Sequence, residues 1–222
     1  MATTYTTSQL AQFPWIVSCD TLKAEDLLPK FWSAAEACAV LADRPQLLNA
    51  ETLASLQKLV GEDSNADDWN DDEAGLTLED LSLALDDAAP LGFYFGASEG
   101  DGAAFGFWLD DSWGDALNSC GVDTDCGPER LALLIAELSD LGYDADNLQN
   151  SYLGEAEGYT ESEAGEDAAQ MLAEAAGEGA ADSMRWPYCC IDWAAAWDYL
   201  AKCDNYSLAQ ISPARWLVLS GC

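Results

Sequence analysis

Apolar positions early in the chain recur at helical spacing. Leu27, Phe31, Ala34, Ala35, Cys38 and Leu41 fall at i, i+3/i+4 and i+7, and residues 8–60 read as mostly helical. Asn49 stands as an N-cap for a helix over 50–60, with Gly61 as its stop. Residues 61–75 then turn polar, an acidic connection with one aromatic, Trp69. Thr77 with Asp80 has the spacing of a capping box, and Leu78, Leu81 and Leu85 line one face of a helix over 77–89. At Gly92 the pattern changes. Phe93, Tyr94 and Phe95, then Phe105, Phe107 and Trp108, make two short runs around the turn-rich 98–102, which predicts a β-hairpin with aromatic faces.

Residues 110–127 are rich in Asp, Gly and Ser and read as loop. Pro128 and Glu129 open a helix that buries Leu131, Leu134, Ile135 and Leu138 and ends at Gly142. A helix over 161–176 carries an apolar ridge of Ala164, Ala168, Met171, Leu172 and Ala175. Asp192 caps another over 193–202, and Trp216–Leu219 reads as a terminal strand. Helices and short strands mix without regular βαβ alternation, so the expected class is α+β. The expected organisation is elongated, with two to three small subdomains: a helical region over 1–60, an acidic region with the hairpin over 61–127, and an acidic C-terminal domain over 128–222.

Charge changes this picture most. The chain has 41 acids against eight bases, a net charge of −33, and no histidine. Residues 1–60 hold six acids and four bases, 61–127 hold 18 acids and no base, and 128–222 hold 17 acids and four bases. So one-sided a density ordinarily marks disorder, yet here the acids are interleaved with aromatics and Leu-rich segments that require a core. Direct binding of nucleic acid or an anionic membrane is disfavoured, because the Lys/Arg stripe for phosphate contact is missing. A protein that folds against this self-repulsion is expected to present its charge to a cationic partner.

No stretch approaches about 18 consecutive apolar residues, so no membrane span is expected. Met1 to Gln12 lacks the form of a signal peptide. The expected location is a bacterial host cytoplasm, where the eight cysteines stay reduced, Cys189 and Cys190 being adjacent and ill-placed to pair. Cys120 and Cys126 lack a second pair at zinc-finger spacing, so no metal or other cofactor is implied. A calcium loop from Asp63, Asn65 and Asp67 would need Gly at its sixth place and Glu at its twelfth, where Asp68 and Ala74 stand. The glycines at 96, 100, 102 and 106 lack the dinucleotide-binding order and read as a hairpin turn.

Without histidine, Ser–His and Cys–His nucleophiles and imidazole acid–base catalysis are excluded. A carboxylate-pair hydrolase stays conceivable, but among 41 acids some pair falls at a suitable distance by chance. A salt-adapted protein would carry its acids on every exposed face, whereas residues 1–60 are near balance. A non-enzymatic role is the expectation.

Three segments carry a family likeness. The first is LGYDADNLQNSYLGEAEGYTES (141–162), with Tyr152, Gly154, Glu155, Tyr159 and Ser162; the others are GEDAAQMLAEAAG (165–177) and CCIDWAAAWDYLAKCDNYS (189–207). Together, roughly residues 128–206 resemble the ArdA antirestriction family of plasmids, transposons and phages, with Trp197 in place of the family's Arg and Glu157–Gly158 inserted in the turn. The resemblance implies a non-catalytic, elongated protein, usually dimeric, that mimics bent duplex DNA. Such a protein occupies the DNA groove of a type I restriction–modification enzyme; another DNA-handling defence complex, such as a CRISPR effector, is the alternative target.

Duplex DNA carries about one charge per 1.7 Å of axis, so 33 net charges suffice for roughly 55 Å, about 16 base pairs. The expected phosphate surrogates are Asp63, Asp67, Asp68, Asp71, Asp72, Glu73, Glu79, Asp80, Asp86, Asp87, Asp110, Asp111, Asp115, Glu155, Glu157, Glu161, Glu163, Glu166 and Asp167. Trp193 and Trp197 are expected to pack in a core or dimer interface rather than to mimic bases.

Overall fold

In the computed structural model the described residues are 5–19, 21–45, 47–48, 50–60, 72–176, 191–203 and 205–221. The expectations for Asn49, Gly61, Trp69, Cys189 and Cys190 lie outside them. The described residues form an α+β protein with two three-stranded antiparallel sheets. The chain divides into two compact units, Met1–Asp110 with Gly127–Leu133, and Asp111–Cys126 with Leu134–Cys222.

The first unit contains α1 (Thr7–Leu10), β1 (Ile16–Ser18), α2 (Ala24–Leu41), α3 (Ala50–Val60), α4 (Asp72–Asp87), β2 (Phe93–Ala97) and β3 (Phe105–Leu109). The aromatic hairpin forms as its spacing predicts, with Phe93 opposite Leu109, Phe95 opposite Phe107 and Ala97 opposite Phe105. Alternation along the strands sends Phe93, Phe95 and Phe107 inward. Phe31 of α2 meets Phe95 and Phe105 edge-on, with ring centroids 5.0 and 5.3 Å apart. Phe13 meets Phe107 in the same way at 4.7 Å. Quadrupole-matched contacts of this kind hold helix and sheet together beyond plain burial, by about 0.5–1.5 kcal/mol per pair.

Two expectations change in this unit. Residues 8–60 include the short strand β1, added to the hairpin in the order β1-β3-β2. Gly106 makes room for it: a Cβ there would stand 2.5 Å from the Trp15 carbonyl, which accepts the Phe107 N–H at 2.8 Å. The helix expected to start at Thr77 begins at Asp72 instead. Thr77 lies inside it and donates its hydroxyl to the Glu73 carbonyl at 2.8 Å, while Asp80 accepts from Thr52. Gly75 hides this extra turn from a propensity reading; burial of Ala74 supports it.

The second unit contains α5 (Asp111–Ser119), α7 (Ala145–Ser151), β4 (Tyr152–Glu157), α8 (Glu161–Ala175), α9 (Trp193–Cys203), β5 (Tyr206–Ser212) and β6 (Arg215–Ser220). Helix α6 (Pro128–Asp140) is divided between the units after Leu133. The loop expected over 110–127 contains α5, whose Trp113, Ala116 and Leu117 are buried. Gly142 ends the α6 segment in the left-handed region, φ +94°, as its position predicts.

The sheet runs β4-β6-β5. Its central strand buries Trp216, Leu217, Val218 and Leu219 in succession, so both faces are covered. Trp216 and Val218 join Ala156, Leu208, Trp197 and the small residues Ala164, Ala168 and Ala169 of α8 in one core. Trp197 is thus a core residue, and Trp193 packs against the same cluster. Asp192 caps α9 as expected, its Oδ1 accepting the Ala195 N–H at 3.1 Å. Gly158 forms the turn from β4 into α8, where its carbonyl accepts the Trp216 indole N–H at 2.9 Å.

Helices α8 and α9 meet at Gly165, where an added Cβ would lie against Trp197 Cδ1 and 2.6 Å from its Cγ. Gly→Ala inside a helix normally stabilises by about 0.5–1 kcal/mol. Here overpacking costs about 1–3 kcal/mol and outweighs it. Gly165→Ala should therefore lower the thermal midpoint by several degrees, at about 2–4 °C per kcal/mol. A raised midpoint in a calorimetric scan would show that Trp197 moves aside freely.

Candidate functional site

Six of the expected phosphate surrogates share one side of α4. Its Ala74, Thr77, Leu81 and Leu85 face the core. Opposite them stand Asp72 with Glu73, Glu79 with Asp80, and Asp86 with Asp87, each pair seven residues after the last. Seven residues are two helical turns, a rise of about 10.5 Å, with a drift of about 20°. The acids therefore form two rows, Asp72–Glu79–Asp86 and Glu73–Asp80–Asp87. This seven-residue recurrence is visible in the sequence once the helix is known to begin at Asp72.

The rows differ in what they hold. Glu73 pairs with Lys58, Asp80 accepts the Thr52 hydroxyl at 3.0 Å, and Asp87 pairs with Arg44, whose Nη1 also donates to the Asp87 carbonyl at 3.0 Å. This row ties α4 to the α2–α3 segment, each exposed ion pair contributing about 0–1 kcal/mol. In the other row Asp86 accepts the Phe95 N–H at 2.9 Å, clamping helix to hairpin, although its side chain stays exposed. Asp72 lies in the first turn, where the helix dipole favours an anion, and Glu79 is exposed. Asp63, Asp67, Asp68 and Asp71 lie outside the described residues, as does the candidate calcium loop they would begin.

Asp110 ends the first unit half-buried, its N–H donating to the Gly92 carbonyl at 2.9 Å. In the second unit Asp111 and Asp115 are exposed one turn apart on α5. Glu155 is engaged: Arg215 donates Nε to its Oε2 at 2.8 Å and Nη2 to its Oε1 at 2.5 Å. Glu157 is exposed at the end of β4, and its N–H donates to Asp167 Oδ2 at 2.9 Å. Glu163 accepts the Tyr159 N–H at 2.8 Å while its own N–H donates to Thr160 Oγ1 at 3.2 Å, closing the start of α8. Glu161 and Glu166 are exposed on the same helix. Tyr152, Gly154 and Glu155, which belong to the first of the family-like segments, lie in strand β4.

No protein-family model, curated protein or solved structure matches the chain. Each unit presents outward carboxylates on helices, beside others that cap or clamp the fold. The chain's excess of 33 acids over bases has no internal cation to meet, whatever the geometry. Cys38 is buried, and that burial pushes its thiol up to about 12.

Sequence reasoning missed Glu137, on the part of α6 within the second unit. Burial raises its pKa above the ordinary carboxylate range, partly offset by the Gln210 N–H and reinforced by the Glu161 charge. A folded-state pKa above the unfolded value favours folding at low pH, and that contribution is lost as pH rises through the folded pKa. Glu137→Gln should therefore melt higher than the wild type at neutral pH, with the gap closing on acidification. A gap independent of pH would assign the effect to packing rather than to this charge.

Proposed function

We propose that the chain is a DNA-mimic inhibitor, non-catalytic, whose carboxylates occupy the basic DNA-binding groove of a host defence enzyme, a type I restriction–modification complex being the first candidate. The observation that carries this reading is the pair of acid rows on α4, backed by the outward acids of α8. A well-formed helix holds the carboxylates at regular spacing rather than leaving them on a disordered tail. Lys and Arg of the groove would receive them in charge-assisted hydrogen bonds, with counterions released from both surfaces.

Magnitudes limit what α4 does alone. Two carboxylates per about 10.5 Å amount to about two-thirds of the charge density of one DNA strand, which has a phosphate per about 3.4 Å of axis. The other exposed acids, among them Asp111, Asp115, Glu157, Glu161, Glu163 and Glu166, would have to supply the rest. Three members of the α4 and β4 sets, Glu73, Asp87 and Glu155, are already met by Lys58, Arg44 and Arg215 and would contribute least. The likeness of residues 128–206 to ArdA proteins points to the same class of target.

Tagged protein should capture a DNA-binding enzyme from bacterial lysate, and duplex DNA should displace it as salt also does. Capture of an enzyme that DNA leaves in place would refute mimicry. Because the interaction is spread out, Glu79→Gln alone should weaken binding by about 1 kcal/mol or less. Replacing Glu157, Glu161 and Glu166 together by Gln should act sharply. Abolition by Glu79→Gln alone would instead mark a catalytic group or a hot spot.

A further inference from the structure

Between the two acid rows of α4 lie Leu76 and Leu83, seven residues apart and 62% and 63% exposed. On the helical wheel they point directly away from the buried Ala74, Thr77, Leu81 and Leu85. Isolated exposed leucines are common and carry no message. These two share one line, with an acid pair before, between and after them. The outward face of α4 thus reads acids, leucine, acids, leucine, acids along the whole helix, Asp72–Asp87, an apolar seam rimmed by charge.

We propose that this face docks a protein surface carrying an apolar ridge with Lys or Arg along the side that meets the Asp72–Glu79–Asp86 row, the other row being held by Lys58, Thr52 and Arg44. The proposal rests on the reading above, that the acids meet a cationic partner, and names what else that partner must have. A phosphate backbone offers no counterpart for the leucines, and the acids repel it. A second copy of the chain would bring a charge of −33 against −33. An anionic membrane is repelled for the same reason. Charge complementarity leaves a basic protein surface, and the seam adds a contact that phosphate mimicry lacks. Seating the leucines would also expel water from beside Glu79, strengthening its bonds to Lys or Arg.

The test uses the full chain and two labelled helical peptides. One has leucine at every seventh position flanked by lysines, and the other has serine in place of those leucines. Fluorescence anisotropy at low salt should show the wild type binding the leucine peptide at least about 10-fold tighter. Leu76→Ser/Leu83→Ser should bring the two affinities together with the melting midpoint unchanged, since both side chains are exposed. Leu22→Ser, at a residue 68% exposed elsewhere in the same unit, should keep the preference. Equal binding of both peptides by the wild type, or a preference that survives in the double variant, overturns the seam while leaving the cationic-partner reading intact. Failure of both peptides to bind at low salt overturns both.

Discussion

Thirty-three uncompensated negative charges oppose compaction of this chain, and the fold has to hold against that repulsion. The opposing force is apolar burial. In the first unit it comes from interlocked aromatic rings joining Phe13, Phe31, Phe95 and Phe107. In the second it comes from a central strand buried on both faces and from helices whose alanines and Gly165 let Trp197 and Trp216 pack close. Three of the cations are spent on the fold: Arg44 and Lys58 hold α4, and Arg215 holds β4 through Glu155. Outside exceptions such as Glu137, the described carboxylates lie at the surface, where water and salt screen them.

The acids consequently divide by task. Asp86, Asp144, Glu163, Asp167 and Asp192 accept backbone N–H groups and fix turns and helix starts. A carboxylate in that role stabilises the fold at the place where it sits. Glu79, Asp115, Glu161 and Glu166 are exposed and contribute charge to the surface. Composition shows only their sum. The distinction bears on function, because a surface built to meet a cationic groove depends on the second group more than on the first.

Much of the fold was legible in the chain. The hairpin of Phe93–Ala97 and Phe105–Leu109, the helix opened by Pro128, the Asp192 cap and the apolar run at Trp216 each combine a strong period with a clear boundary signal. Other elements escaped: α7, β4 and β5 drew no expectation, and three more were hidden. Strand β1 is only three residues long and exists because the hairpin edge accepts it. Helix α5 has its Trp113, Ala116 and Leu117 face masked by surrounding Asp, Gly and Ser. The first turn of α4 runs through Gly75, which propensity counts against it.

By itself the sequence determined the class, the sign and concentration of the charge, the exclusion of imidazole chemistry, and the elements whose periodicity is strong. These follow from residue counts and short-range spacing, which need no partner in space. Tertiary structure decided which carboxylates are engaged and which face outward, that α4 carries its acids in two rows around Leu76 and Leu83, and that Trp197 belongs to a core. Such properties depend on which side of an element is buried against residues remote in the chain, and Arg215 meeting Glu155 across 60 positions is one instance.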